Sequence, residues 1–397
     1  MKEKIISIDQ GTSSTRSVLY DKNGLYLDSS QEEFDQYFPK EGWVEHDPDQ
    51  IWQSVLSTLQ TLVKKNGLDS FEIASIGITN QRETTVIWHK KTGRPIANAI
   101  VWQDRRTSEH CMQLKQSGFE KVVREKTGLL LDPYFSSTKI SWILDNIKGA
   151  RERAQAGKLR FGTVDTYLLW QLTNGNIYKT DITNASRTNL FNIHSENWDP
   201  ELLDIFDIPV SMLPQVESSD SNFGTLVRGD KTIPIAGVIG DQQAALVGQK
   251  CFQPGQMKAT FGTGCFLMVN TGDESLQSTS GLLNTLGYGL SGKVSYALEG
   301  SIFSAGTIIQ WLRDNMEFFL DSEQSINFLD ARGKSNGVLF VPGFTGIGAP
   351  HWNSEIRAAF YGITRDSTKT DMVTAAFKSL IYQVMDIKEA LNIDGIE

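Results

Sequence analysis

The sequence contains few cysteines and histidines. Among its 397 residues there are three cysteines, Cys111, Cys251 and Cys265, and five histidines. No cysteine pair has CxxC spacing and no histidine pair has HxxxH spacing, so neither a zinc site nor a disulfide framework is expected. Low cysteine use is typical of a reducing compartment. The start shows no signal-peptide pattern, and no apolar run approaches the ~18 residues of a membrane span, so we expect a cytoplasmic protein.

Positive charge is also scarce. Lysine and arginine number 38 against 47 acidic side chains, which gives a net charge of −9. This balance argues against nucleic acid as a partner, because a phosphate backbone requires a basic face. A nucleotide substrate is still allowed, because one local cation and a metal ion can neutralise its phosphates. The sequence is also compatible with a homo-oligomer.

Two apolar segments far apart in the chain are each followed by Asp-Gln. Ile5–Ile8 leads into Asp9, and the segment 233–239 leads through Gly240 into Asp241. Each pattern predicts a buried strand that ends at a carboxylate. We therefore expect an α/β fold with two similar sheets facing each other across a cleft, divided near Gly248–Pro254 into domains 1–248 and 249–397. The alternative for Asp241 is a simple helix N-cap.

The segment after Asp9 has the composition of a phosphate-binding loop. Gly11 lets backbone N–H groups approach a phosphate, and hydroxyls and one cation follow directly. Asp9 is placed to hold Mg²⁺ through water. The alternative is a solvated hairpin turn. The hydroxyl and cationic side chains of this loop are those of Thr12, Ser13, Ser14, Thr15 and Arg16.

A polar cluster follows the predicted strand Ile73–Ile78. Within it, Arg82 and Glu83 pair a donor with an acceptor, a combination that suits neighbouring hydroxyls of a polyol. The alternative is an ordinary surface ion pair. The aromatic residues Trp102 and Tyr134 fit either core packing or the apolar wall of a small pocket. Spacing does not decide between these.

A second glycine-rich segment imitates a nucleotide-binding motif. The residues from Gly287 to Val294 match GxGxxG and nearly match GxxxxGK[ST], but Val294 stands at the Ser/Thr position. An alternating strand pattern follows instead of a helix, so no helix N-terminus is available for a phosphate. We predict a glycine-rich hairpin here.

Several segments together resemble the FGGY carbohydrate kinases, and among them the kinases that act on glycerol. The resemblance covers essentially the whole chain. Segment 134–146 is similar to the first family signature and segment 358–378 nearly fits the second. The most specific matches are Asp9-Gln10-Gly11-Thr12, Asn80-Gln81-Arg82-Glu83-Thr84, Trp102-Gln103-Asp104-Arg105-Arg106, Gly240-Asp241-Gln242-Gln243-Ala244 and Phe261-Gly262-Thr263-Gly264-Cys265-Phe266.

This resemblance implies two ribonuclease-H-like domains of the actin and hexokinase type around a cleft, and ATP-dependent phosphorylation of glycerol to sn-glycerol 3-phosphate with Mg²⁺. It implies that Asp241 is the general base and that Asp9 lies near the metal. The implied glycerol-binding residues are Arg82, Glu83, Trp102, Tyr134, Asp241, Gln242 and Phe266. The implied nucleotide-binding residues are Thr12, Ser13, Ser14, Arg16, Thr263, Gly306 and Gln310.

Three departures from the family pattern qualify these expectations. Lys378 stands where the second family signature has an acidic or amide residue. The segment 228–233 lacks the Gly-Gly-Thr-Arg run with which some relatives bind fructose 1,6-bisphosphate. The sequence also stops before the glycine-rich turn that binds adenosine in the family, which predicts an incomplete second domain and weak adenine binding. The alternatives are therefore another polyol or pentulose kinase, and a catalytically impaired protein that still binds glycerol.

Overall fold

The computed structural model describes residues 3–68, 72–228, 231–330 and 333–396. Gly229 and Asp230, which belong to the segment without the fructose 1,6-bisphosphate motif, lie outside the described residues. The chain forms two compact units. The first comprises Met1–Val247 with Thr285–Tyr296, and the second comprises Gly248–Asn284 with Ala297–Glu397.

Up to Gly248 the chain contains both strands and helices, many of them in runs of one kind. The strands are β1 (Lys4–Gln10), β2 (Ser14–Asp21), β3 (Tyr26–Glu33), β4 (Glu45–His46), β5 (Ile73–Asn80), β6 (Val86–His89), β7 (Ala99–Ile100), β8 (Leu159–Gly162), β9 (Lys179–Asp181), β10 (Phe191–Asn192), β11 (Asn197–Trp198), β12 (Gln215–Glu217), β13 (Thr225–Arg228) and β14 (Lys231–Gly240). The helices are α1 (Pro48–Lys65), α2 (Ser108–Gln116), α3 (Glu120–Thr127), α4 (Ser136–Asn146), α5 (Ala150–Gln155), α6 (Val164–Leu172), α7 (Ile182–Ala185), α8 (Pro200–Ile205) and α9 (Asp241–Gly248), with a 3₁₀ turn at Val210–Met212.

The central sheet of the first unit has the strand order β13-β14-β5-β1-β2-β3. Its middle strands β14, β5 and β1 run parallel, whereas β2 and β3 continue antiparallel from β1. Strands β1, β2 and β3 thus form an antiparallel start of the chain. Carboxyl ends of parallel strands lie at one edge of a sheet, and ligands of α/β folds bind at that edge.

Helix α1 shows why the sequence folds as it does beside this sheet. The Asp47 side chain accepts a hydrogen bond from the Asp49 backbone N–H, and Pro48 occupies the first turn, where its missing N–H costs nothing. Its apolar face packs into the core beneath the sheet, together with Ile6 and Ile8 of β1 and the apolar face of α6. The buried residues of the α1 face are Ile51, Val55, Leu59 and Leu62.

The strands and helices after Gly248 begin with a second set of antiparallel strands. The strands are β15 (Met257–Phe261), β16 (Cys265–Gly272), β17 (Leu283–Leu290), β18 (Lys293–Ile302), β19 (Leu339–Val341) and β20 (Ala359–Tyr361). The helices are α10 (Gly306–Asp314) and α11 (Lys369–Ile393), with a 3₁₀ segment at Ser322–Phe328. The first four strands form a sheet in the order β15-β16-β18-β17. Strands β17 and β18 are joined at Ser291 and Gly292, so the predicted glycine-rich hairpin is confirmed.

A membrane-spanning helix is not found in the described part of the chain: every helix there is too short or too polar.

Candidate active site

Three neighbouring parallel strands end at the same level of the first unit's sheet. Gln10 at the end of β1 pairs with Asn80 at the end of β5, and Asn80 pairs in turn with Gly240 at the end of β14. The register therefore brings three segments distant in sequence to one sheet edge. Arg82 follows the middle strand by two residues, and Asp241 follows its neighbour directly.

Arg82 is buried at this edge, with only 3% of its surface exposed. Its Nε lies 3.2 Å from Oδ1 of Asp241, and one terminal nitrogen donates to Oε1 of Gln243 at 3.1 Å. The Arg82 stem lies against Gly240, where an added Cβ would come within 2.9 Å of the Arg82 Cδ. Gly240 is thus required by the close approach of the arginine. The interpretation of Arg82 and Glu83 as an ordinary surface ion pair is wrong, because both are buried.

Glu83 is 1% exposed and has a backbone φ of 58°. A non-glycine residue in this left-handed region is strained and persists only where its surroundings enforce it. The Glu83 carbonyl accepts hydrogen bonds from the hydroxyls of Ser136 at 3.0 Å and Thr85 at 3.1 Å. Its carboxylate lies 2.6 Å from Nε of the fully buried Arg187. These contacts fix both the backbone and the charge of Glu83.

The two aromatic candidates lie together next to Arg82. Trp102 and Tyr134 make an edge-to-face contact with 5.7 Å between ring centroids, and both are almost fully buried. A terminal nitrogen of Arg82 lies 3.5 Å from the Tyr134 hydroxyl. The Trp102 indole N–H donates to the Thr12 hydroxyl at 2.9 Å. The two rings therefore pack against each other, and Trp102 links Arg82 and Tyr134 to the first hairpin loop.

Asp241 is the first residue of α9, and 34% of its side chain is exposed. Its carboxylate accepts from the Gln242 backbone N–H at 2.7 Å and from the Gln242 side-chain amide at 3.2 Å. Arg82 also contacts the Asp241 carboxylate, so the contacts of Asp241 are not limited to the capping of α9. The exposed third leaves the carboxylate accessible from solvent.

The β1–β2 hairpin carries the predicted phosphate loop. Asp9 and Arg16 are directly opposite each other across the two strands, so their side chains share one face of the sheet. The Gly11 backbone N–H donates to the carbonyl of Ser14 at 2.9 Å, which makes the loop tight. Ser13 is exposed and Thr12 is half-buried, so hydroxyls face solvent beside the Arg16 cation.

Asp9 has the electrostatic setting of a carboxylate that binds a cation. Its surface is open to solvent, but the protein atoms around it and the nearby negative charge of Asp241 raise its pKa to about 6, while Arg16 lowers it. A carboxylate that lies near a second negative charge suits a divalent cation. Within the described ranges no group of three or more His, Cys, Asp or Glu side chains is arranged for a metal. The Asp9 carboxylate fits Mg²⁺, which takes few protein carboxylates and keeps waters and phosphate oxygens as its other ligands.

In the second unit, the loop between β15 and β16 packs on the N-terminus of α10. The Gly306 backbone N–H donates to the Gly262 carbonyl at 2.9 Å, and the Thr307 hydroxyl donates to the Thr263 carbonyl at 2.6 Å. An added Cβ at Gly306 would lie 2.6 Å from the Gly262 oxygen, so only glycine fits there. Gln310 is exposed one turn further along α10, on the same side as Gly306.

Three of the four predicted residues of this unit are thus brought together, namely Thr263, Gly306 and Gln310. Phe266 lies on β16 and is 8% exposed.

Sequence reasoning missed two residues that hold Arg82 and Glu83 in place, namely Gln243 and Arg187. Gln243 lies in the family motif at 240–244, but its role as acceptor for Arg82 depends on the packing of α9. Arg187 follows α7 and is separated from Glu83 by 104 residues. Its sequence context is an unremarkable polar segment, so no local signal identifies it as the ion-pair partner.

Family models match both parts of the chain. Residues 4–248 match the N-terminal domain of the FGGY family of carbohydrate kinases, and residues 257–397 match its C-terminal domain. The chain belongs to the FGGY family of carbohydrate kinases. The resemblance found in the sequence motifs is thus confirmed, and with it a mixed α/β fold of two domains.

Relatives in this family include proteins of high identity over the whole chain. A glycerol kinase of Marinomonas sp. (strain MWYL1) is 52% identical over 397 residues, which cover 100% of this chain and 80% of the relative. A glycerol kinase of Bacillus velezensis is 51% identical over 398 residues with the same coverage.

Among solved structures, Plasmodium falciparum glycerol kinase with ADP superposes with a TM-score of 0.87 at 37% identity, covering 99% of this chain and 79% of that chain. A xylulose kinase from Lactobacillus acidophilus superposes with a TM-score of 0.83 at 24% identity, covering 98% of this chain and 78% of that chain, and shows the shared fold.

Proposed function

We propose that this protein transfers the γ-phosphoryl group of ATP to glycerol and forms sn-glycerol 3-phosphate. The observation that carries the proposal is the Arg82–Asp241 contact, in which a buried guanidinium orients a partly exposed carboxylate at the ends of two parallel strands. This pair supplies a hydrogen-bond donor and a proton acceptor at one place. Relatives about half identical over the whole chain bear the name glycerol kinase, and this supports the choice of glycerol.

Glycerol is held by donors and acceptors at the strand ends. Arg82 donates to a hydroxyl oxygen, and Glu83 accepts from a hydroxyl, since an ionised carboxylate is a hydrogen-bond acceptor. Gln242 offers an amide beside Asp241. The rings of Trp102 and Tyr134 face the carbon chain, and Phe266 of β16 is assigned to the same apolar role. A fixed array of this kind selects a small polyol by its hydroxyl pattern.

Asp241 acts as the general base. One carboxylate oxygen of Asp241 takes the proton of the primary hydroxyl, while the oxygen of that hydroxyl forms a bond to the γ-phosphorus. The bond between the γ-phosphorus and the bridging oxygen breaks, and ADP leaves with the electron pair. The contacts of Asp241 with Arg82 and Gln242 hold the carboxylate in one orientation, which reduces the cost of aligning base and nucleophile.

The nucleotide phosphates are assigned to the first hairpin. The hydroxyls of Thr12, Ser13 and Ser14 donate to phosphate oxygens, and Arg16 supplies the cation. Asp9 is the residue that would hold Mg²⁺, and this ion, when bound, neutralises charge on the phosphates. In the second unit the nucleotide-binding residues are Thr263, Gly306 and Gln310.

These assignments divide the protein into a domain 1–248 with the glycerol site and the phosphate loop, and a domain 249–397 with the remaining nucleotide contacts.

The test is an ADP-release assay with a panel of acceptors that includes glycerol, xylulose, gluconate and erythritol. We expect glycerol to have the highest kcat/KM. A strong preference for xylulose would assign the protein to the pentulose kinases instead. Glycerol binding in calorimetry without any turnover of ATP would favour a binding protein over an enzyme.

A further inference from the structure

A buried polar network lies directly behind the two strand ends that carry Arg82 and Asp241. At its centre is Asp181, which has no exposed surface and stands at the N-terminus of the short helix α7. Its carboxylate accepts five hydrogen bonds between 2.7 and 3.1 Å. The donors are the backbone N–H groups of Thr183 and Asn184 and the side chains of Thr183, Asn184 and Ser219.

The network reaches the end of β14 through Thr183. The Thr183 hydroxyl has a single proton, which it donates to Oδ2 of Asp181 at 2.7 Å. Its lone pairs then accept from the Gly240 backbone N–H at 2.9 Å. Since a carboxylate only accepts, Asp181 fixes the direction of this chain of hydrogen bonds. Gly240 immediately precedes Asp241, so Thr183 holds the backbone on which the proposed base is mounted.

The same network reaches the end of β5 through Asn184. The side-chain amides of Asn184 and Asn80 bond reciprocally, at 3.0 Å in one direction and 3.2 Å in the other. Asn80 stands two residues before Arg82. Asp181 is therefore connected to both strand ends, and all of these side chains are buried. A buried network with every member satisfied is rigid.

We propose that Asp181 and Thr183 form a positioning unit that holds Gly240, and through it the carboxylate of Asp241, in the geometry for phosphoryl transfer. Neither residue touches the reacting atoms, so both act through the backbone at the end of β14. A misplacement of about 1 Å costs on the order of 10²-fold in rate, so loss of this contact should lower kcat. This inference rests on the proposed role of Asp241.

The deciding variant is Thr183→Val, which keeps the shape of the side chain and removes both hydrogen bonds. We expect kcat to fall by about 10- to 100-fold, with a KM for glycerol close to that of the wild type. Thr183→Ser retains the hydroxyl and should restore kcat. The Gly240 amide should exchange its hydrogen faster in the valine variant than in the wild type.

The matched control is Thr180→Val. Thr180 is also buried, and its hydroxyl donates at 2.7 Å to Asp165, another fully buried carboxylate. The control therefore loses a comparable buried hydrogen bond without a contact to Gly240 or Asn80. We expect it to lose thermal stability but to keep the wild-type kcat and the wild-type exchange rate at Gly240.

Two outcomes would overturn the proposal. The first is a wild-type kcat in Thr183→Val, and the second is an equal loss of kcat in both valine variants, which would indicate general destabilisation. If Thr183→Val does not fold, Thr183→Cys decides, because its weak S–H bond should give an intermediate kcat and a wild-type kcat would refute the proposal. If the wild type does not phosphorylate glycerol, the proposed function fails, whereas hydrogen exchange at Gly240 still tests the contact.

Discussion

Replacement of Asp241 by asparagine separates the chemical role of this residue from its structural role. Asparagine preserves the shape of the side chain and one oxygen acceptor, so the hydrogen bonds from Arg82 and Gln242 can persist. It cannot take up the proton of a substrate hydroxyl. The substitution therefore removes the proposed general base with little change to the surrounding contacts.

The expected effect on rate exceeds the expected effect on stability. Loss of a general base typically lowers the rate by about 10²–10⁴-fold, which corresponds to roughly 2.7–5.4 kcal/mol on the activation barrier. The side chain of Asp241 is 34% exposed, so solvent screens its ion pair with Arg82 and the loss of that pair costs about 1 kcal/mol of folding free energy. Arg82 also retains Glu83 at 4.0 Å as a second carboxylate partner.

The assay combines steady-state kinetics with calorimetric titration of glycerol. We expect kcat to fall within the range above while the Kd for glycerol stays near the wild-type value. The matched control is Asp28→Asn, which makes the same chemical change on strand β3, where Asp28 forms a partly exposed ion pair with Lys65 of α1. This control should leave kcat unchanged. A near-wild-type kcat in Asp241→Asn would show that the carboxylate serves only the local structure.

Three further substitutions test the charges around the site. Glu83→Gln breaks its buried pair with Arg187 and should lower the free energy of unfolding in urea by about 3–5 kcal/mol. Lys139→Met should lower the free energy of unfolding by at least about 3 kcal/mol. The Lys139 ammonium is fully buried and donates to three successive carbonyls, those of residues 133–135. Burial lowers its pKa to about 8, so it is still charged at neutral pH. In the wild type, the free energy of unfolding should fall as the pH rises from about 4 to about 6, and Asp9→Asn should abolish this fall. The Asp9 pKa is raised from 3.8 to about 6 in the folded state, so the folded protein binds the proton more tightly, and stability falls as the pH rises through that range, by about 1 kcal/mol after allowance for solvent access.

Each of these tests has a result that would contradict it. Lys121→Met, at an exposed pair with Glu125, is the control for Lys139 and should cost under about 1 kcal/mol. An equal loss of stability in both lysine variants would show that the contacts of Lys139 with the carbonyls contribute no more than an exposed ion pair. A Glu83→Gln variant as stable as the wild type would mean that Arg187 does not depend on that charge. An unchanged pH dependence in Asp9→Asn would place the titrating group elsewhere.

The sequence by itself determined the local structure and the family. The hairpin at 287–294 follows from its turn composition and appears in the structure as expected. The apolar face of α1 and its N-cap at Asp47 likewise depend on residues within the same segment. Two strands that run directly into Asp-Gln also marked the positions of Asp9 and Asp241. Such features depend on neighbours within a few residues, and these neighbours are visible in the sequence.

Only the tertiary structure decided which distant residues meet. The parallel register of β14, β5 and β1 brings Arg82 beside Asp241, and no local pattern specifies that register. Burial excluded the alternative of a surface ion pair for Arg82 and Glu83, and packing completed their charge cluster with Arg187. The partner of a buried charge is chosen by desolvation and packing in three dimensions, because an unpaired charge in the interior costs several kcal/mol. That cost depends on every element packed around the charge, so it cannot be read from the residues beside it in sequence.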